Sequence, residues 1–119
     1  MSEAQSVSDG SGMVRDLTAF QQNILVILSE ESRYGLAIKR ELESYYGTEV
    51  NHGRLYPNLD DLVDMELVVK SELDKRTNQY ELTEKGYKAI LEQYEWSLSK
   101  FVTNESRAQD IYDLVDELK

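Results

Sequence analysis

Cysteine is absent from this 119-residue chain, and proline, tryptophan and histidine each occur once. Each scarcity removes some chemistry. Without cysteine there are no disulfides, thiolate zinc sites, thiol nucleophiles or thiol redox sensors. A single histidine, His52, excludes a His-based metal cluster. No stretch approaches the roughly 20 apolar residues that span a bilayer, and no apolar signal-peptide core follows the start, so the expected location is the cytoplasm, away from membranes. A phosphate-binding glycine loop and a nucleophile partnered by histidine are also missing. The adjacent acids Glu30-Glu31, Asp60-Asp61 and Asp116-Glu117 point apart on a helix and make no general acid/base pair. The expectation is a protein that is not an enzyme and carries no organic cofactor or resident metal.

Basic residues are the scarce charge. Thirteen Lys and Arg stand against 23 Asp and Glu, a net charge of −10 with an isoelectric point near 4.5. Taken as a sum, this argues against nucleic acid as a partner, because phosphate neutralisation needs cations. The distribution says otherwise. Residues 1–32 carry a net −4 and residues 89–119 another −4, whereas residues 33–88 carry −2 and hold nine of the thirteen cations. The acid sits on the flanks. So large a surplus suits a protein kept soluble in concentrated salt, where screening removes self-repulsion; a mildly acidic mesophilic protein is the alternative.

Residues 1–14 are Ser-, Gly- and acid-rich and are expected to be a disordered lead-in. Thr18 and Gln21 have the spacing of a capping box, and Leu17, Phe20, Ile24, Ile27 and Leu28 recur at helical spacing through Glu31. Ser32–Gly35 is expected to turn. A second helix over about Gly35–Tyr46 would bury Ile38, Leu42 and Tyr45, with Gly47 as its left-handed stop. A third, capped by Asn51 and running to about Met65, has an inner stripe of Leu55, Leu59 and Leu62, with Tyr56 and Val63 beside it; Pro57 early in this helix loosens it without breaking it. Residues 67–72 then pair with 79–82 as a hairpin, Tyr80 and Leu82 inward, across the polar turn 74–78. Thr83 caps a fourth helix in which Tyr87, Leu91, Tyr94, Leu98 and Phe101 are spaced 4, 3, 4, 3. Asn104 restarts the chain as a fifth helix with Ala108, Ile111, Val115 and Leu118 as its stripe.

Three helices followed by a hairpin is the order of a winged helix-turn-helix, mainly α with a small β-hairpin. Residues 15–83 would form the DNA-binding domain and 84–119 a helical dimerisation region. In such a domain the N-terminal part of the third helix reaches base edges. Opposite the leucines, the expected outer face carries Asn51, Arg54, Asn58 and Asp61, with His52 at the same helix start. Arg suits bidentate contact with guanine and Asn with adenine. An ordinary solvated helix face is the plainer alternative. Lys70, Lys75, Arg76, Asn78 and Gln79 cluster about the hairpin and suit phosphate contacts along the duplex. Arg33, Tyr34, Lys39 and Arg40 form a second phosphate set, although Lys39 and Arg40 can equally pair with Glu41 and Glu43. The seam Tyr87, Leu91, Tyr94, Leu98 and Phe101, with Trp96 off it and Ile111 and Val115 beyond, needs an apolar partner, most simply a second copy; a folded-back helix pair broken at Thr103-Asn104 is the alternative. In concentrated salt, binding would rest on base contacts and shape more than on counterion release, with inorganic cations bridging acids to phosphate at the interface.

The runs ILVILSEESRYGLAIKREL, GRLYPNLDDLVDMELV and NQYELTEKGYKAI resemble the signatures of PadR-type winged-helix transcriptional regulators across about residues 18–95. The most specific parts are Gly-x-Leu-Tyr-Pro at Gly53–Pro57 and Tyr-x-Leu-Thr-x-x-Gly at Tyr80–Gly86. The resemblance implies a homodimer on an imperfect inverted repeat of double-stranded DNA, usually a repressor, with C-terminal helices exchanging contacts across the dyad. Within the family, the acidic composition and short C-terminal helices are most similar to a haloarchaeal regulator of oxidative-stress genes. With no cysteine, such a signal would act through Met65 oxidation, a ligand or an upstream partner. Departures from the family are a wing without a Gly-Arg-Pro stretch, Arg54 where a small residue is usual, and a more polar turn at 32–35. A winged-helix protein-interaction module that never touches DNA is the competing function.

Overall fold

The computed structural model describes residues 16–74 and 77–119. The expected lead-in 1–14 therefore lies outside the described residues, as do Lys75 and Arg76. The elements are α1 (Ala19–Glu30), β1 (Arg33–Tyr34), α2 (Gly35–Tyr46), α3 (His52–Asp64), β2 (Val68–Asp74), β3 (Thr77–Leu82), α4 (Glu84–Phe101) and α5 (Glu105–Leu118).

Helix starts follow their caps. Thr18 and Gln21 form a complete capping box, each side chain accepting from the other's backbone N–H at 3.1 Å. Asn51, Thr83 and Asn104 accept from the third helical N–H of α3, α4 and α5 in the same manner. Gly47 ends α2 at φ 72°, the left-handed position that a side chain would strain. Pro57 stays inside an unbroken α3.

One apolar core holds these elements together. Ile24, Leu25 and Leu28 of α1, Ile38 and Leu42 of α2, and the stripe Leu55, Leu59 and Leu62 of α3 meet Leu67, Val68 and Tyr80 beneath the sheet. Two assignments from the sequence change. Leu25 is buried although it lies outside the expected α1 stripe, and Tyr45 is 73% exposed because the α2 stripe ends at Leu42. Tyr45 packs edge-on against Tyr46 at the surface instead.

The sheet also differs from the expectation. Residues 33–34 are not a plain turn but a short strand, β1, paired antiparallel with β3 as Arg33↔Tyr80 and Tyr34↔Gln79. The order is β1-β3-β2, so the two-stranded wing becomes a three-stranded sheet. β2 and β3 run further than their apolar residues suggested, to Asp74↔Thr77, with an irregularity between Glu72 and Asp74. Burial of Tyr80 holds its phenol above its ordinary pKa, and Tyr56 and Asp60 nearby push the same way.

Glu43 links α2 to the start of α3. Its carboxylate accepts from Lys39 Nζ at 2.7 Å and from the N–H of buried Val50 at 2.9 Å. These bonds, Lys39 first, hold the carboxyl below its ordinary value of 4.5. A depressed carboxylate stabilises the fold above its unfolded pKa, and that contribution disappears as pH falls through the folded one. Glu43→Gln is therefore expected to lower the melting temperature at pH 7, with the gap to wild type closing as the pH falls below 4.5 and through the folded pKa.

Candidate nucleic-acid interface

At about 100° per residue, the direction directly away from Leu55, Leu59 and Leu62 is occupied by Gly53, Pro57, Asp60, Asp61 and Asp64. All five are exposed. The outer face of α3 is thus small and apolar in its first half and acidic in its second. Arg54 and Asn58 lie on one flank and His52 and Tyr56 on the other. This corrects the expected outer face, of which only Asp61 belongs to the strip opposite the leucines.

The flank residues are already engaged within the chain. Asn51 accepts from the Arg54 N–H at 2.9 Å as the helix cap, and its side-chain amine remains at the exposed helix start. The Arg54 guanidinium lies 4.0 Å from the Phe20 ring centre and 6.0 Å from that of Tyr46, a cation–π seat between α1 and α2. Phe20 and Tyr46 are themselves stacked at 6.1 Å, and Asn23 donates to the Tyr46 hydroxyl at 2.9 Å. Asn58 is half-buried; its Oδ1 accepts from Gln21 and its Nδ2 donates to the Arg54 carbonyl. Its Oδ1 and Nδ2 each already hold one bond inside the chain, which leaves adenine only the second lone pair and second proton of a half-buried amide, so the structure does not present it as a reader. His52 is exposed and stacks on Tyr56 at 5.4 Å.

The expected phosphate sets also separate. Arg33 is only 14% exposed at its side chain and is ion-paired with Glu30, Glu31 and Glu41. Lys39 is 15% exposed and bound to Glu43. These two cations are structural ties: Arg33 of β1 is neutralised by glutamates of and beside α1 and α2, and Lys39 by one on its own helix. Arg40 and Lys70 are exposed, and Tyr34 is 47% exposed at the α2 start. Across the wing, Lys70 and Asn78 share the face of Tyr80, whereas Gln79 lies on the opposite face in a row with Tyr34 and Ser71. The apparent single cluster is split by the two-residue period of a strand.

Two glycines bear on the start of α3. Gly53 is exposed, and a Cβ there would meet only Asn51 Oδ1, at 3.4 Å. Among the described residues nothing requires glycine at a place where alanine favours helix. Its signal was present in the Gly-x-Leu-Tyr-Pro run. Gly35 is the opposite case: a Cβ would fall 2.6 Å from the Tyr56 hydroxyl, so this glycine admits the tyrosine that backs the start of α3.

The expected apolar seam is uncovered. Tyr87, Leu91, Tyr94, Leu98 and Phe101 are between 44% and 55% exposed, and the side of α4 packed on the domain is instead Gly86, Ala89 and Ile90. Trp96, 61% exposed, points away from the seam and lines an open groove with Gln22, Gln93 and Ser99. α5 buries no residue, and Val115 is 44% exposed and Ile111 half-buried. Among the described residues no group of three or more His, Asp or Glu side chains is arranged to hold a metal ion, and no helix is long and apolar enough to cross a membrane.

Three helices, a wing and an exposed third-helix start define a winged-helix DNA-binding transcription regulator. The F93 protein of STIV, a winged-helix DNA-binding protein, shares this fold at 20% identity and a TM-score of 0.55 over 71% of this chain and 88% of its own. The pattern of the PadR-like family of transcriptional regulators matches residues 24–92, and the chain belongs to that family. It is similar to RosR of H. salinarum: the structure grown from NaBr is 65% identical over 87% of this chain and 94% of that one, with a TM-score of 0.84. The RosR-S1 complex matches at 64% identity, covering 87% and 93%, with a TM-score of 0.85. No curated protein matches.

Proposed function

We propose that the protein acts as a homodimer on an inverted repeat of double-stranded DNA and represses transcription in the cytoplasm, with stress-response genes as the target class that the family resemblance implies. The first turn of α3 enters the major groove, and the wing and Arg40 lie along the phosphates. The observation that carries this reading is the contrast within α3: Asn51, His52, Gly53 and Arg54 are all exposed while Leu55, Leu59 and Leu62 are sealed. Gly53 marks the point of closest approach to the duplex, since its missing side chain serves no contact inside the fold. Arg54 reads a base edge after leaving its seat on Phe20, or fixes Gly53 at that point while remaining on it.

The seam on α4 supplies the dyad. Two-fold symmetry then sets the two α3 helices about one DNA turn apart, roughly 34 Å. No organic cofactor takes part, and cations from concentrated salt lie between the acids at Asp60, Asp61 and Asp64 and nearby phosphates. Mobility shifts in concentrated potassium chloride test the reading. Gly53→Ala is expected to melt at or above the wild-type temperature yet bind an inverted-repeat operator about tenfold more weakly, and Arg54→Ala to lose a similar factor. Unchanged operator affinity in both variants would place DNA elsewhere and favour a protein-interaction module.

A further inference from the structure

Among the described residues Gln21 is the one polar side chain in the buried core, 7% exposed. Its amide belongs to a chain of bonds whose direction is set at both ends by backbone groups. The Thr18 N–H can only donate, so Gln21 Oε1 faces it, at 3.1 Å. That leaves Gln21 Nε2 to donate to Asn58 Oδ1 at 3.0 Å, and Asn58 Nδ2 to donate to the Arg54 carbonyl, which can only accept, at 2.8 Å. Neither amide can flip without setting donor against donor or acceptor against acceptor. The chain joins the start of α1 to the middle of α3 across 37 residues of sequence. The next residue along α1, Gln22, donates to Gln93 Oε1 of α4 at 3.5 Å, and Gln93 donates on to Ser97 at 3.1 Å.

We propose that Gln21 is a positioning residue for DNA recognition: through Asn58 it fixes the tilt of α3 relative to α1, and so relative to the α4 helix that carries the dyad. The proposal rests on the homodimeric DNA-reading function above. Scale supports it. α3 has 13 residues and is about 20 Å long with Asn58 at its centre, so a tilt of about 10° about Asn58 moves the reading end by about 1.7 Å in each subunit, roughly one base-pair step for the pair. A leucine stripe alone resists sliding poorly, because dispersion contacts have no preferred direction. One directed amide bond, from Gln21 to Asn58, supplies the missing constraint, and the local bonds to Thr18 and Arg54 fix the orientation of its two amides. Asn58 then determines how far apart the two readers fall without reading any base itself.

The test uses the full chain. Gln21→Glu keeps the shape and still accepts from Thr18, but its carboxylate has no proton to give Asn58. Gln21→Leu with Asn58→Leu replaces the chain by an apolar pair, which restores folding if the single variant fails to fold. Wild type and variants are put through binding-site selection from random DNA. Affinities are then measured for the selected operator and for versions with the centre lengthened or shortened by one base pair. Circular dichroism melts establish folding. Wild type is expected to disfavour altered spacing by about tenfold or more, and the folded variants to lose most of that discrimination while selecting the same bases. Unchanged spacing discrimination in a folded variant would overturn the proposal. So would a changed base preference at one position in Asn58→Leu that Gln21→Glu does not share, since Asn58 would then be a reader. Specific binding absent from wild type itself would overturn the DNA-reading function, and this proposal with it.

Discussion

Leu91→Glu combined with Leu98→Glu is expected to give a folded monomer whose operator affinity is about a thousandfold below wild type. The loss follows from avidity, because two linked readers bind far more tightly than one. Both leucines lie in the middle of the 4, 3, 4, 3 seam, at 48% and 44% exposure. Neither belongs to the side of α4 that packs on the winged domain, which is formed by Gly86, Ala89 and Ile90. The substitutions therefore leave the core untouched. Across a dyad they would bring four carboxylates into an apolar interface, where unpaired charge is costly to desolvate. Sedimentation velocity reads the assembly state, circular dichroism the fold, and mobility shift the affinity. A variant that stays dimeric would show that the seam is not the interface and would point to α5.

Gly86→Ala should be strongly destabilising. In a solvent-exposed helix, alanine is better than glycine by about 1 kcal/mol. Here the sign reverses. A Cβ at position 86 would lie 2.3 Å from the Leu67 carbonyl oxygen and 2.7 Å from Leu82 Cδ1. The Leu67 carbonyl cannot easily retreat, because it accepts the Thr83 N–H that holds the start of α4 against β2. Gly86 also donates its own N–H to Thr83 Oγ1 at 2.9 Å, so moving the helix breaks its cap. The expected loss is about 3 kcal/mol or more, as for severe overpacking, measured by urea unfolding. Because this contact also aims α4, partial unfolding should weaken dimerisation as well. A neutral or stabilising outcome would mean that α4 does not rest on Leu67.

Leucine periodicity and caps were legible because they act within a single turn. Thr18, Asn51, Thr83 and Asn104 each satisfy an N–H three residues on, and Leu55, Leu59 and Leu62 repeat with the helix. The polar residues were harder. Asn58, Arg54 and Arg33 all have types that suit DNA, yet Asn58 belongs to Gln21, Arg54 rests on Phe20, and Arg33 is held by three glutamates. β1 was illegible for a related reason: two residues carry no periodicity, and only the edge of β3 makes them a strand. Gly53 reverses the pattern, since the role proposed for it rests on what the structure does not place near it.

Sequence alone determined where the helices begin and end, the helix–helix–helix–hairpin order, the PadR-like signatures and the uneven distribution of charge. Those properties depend on neighbours a few positions away, where backbone geometry leaves few choices. Only the tertiary structure decided which polar side chains are spent inside the protein and which stay open to a ligand. A donor or acceptor binds whichever group folding brings within about 3 Å, and for Gln21 that group came from 37 residues further along the chain.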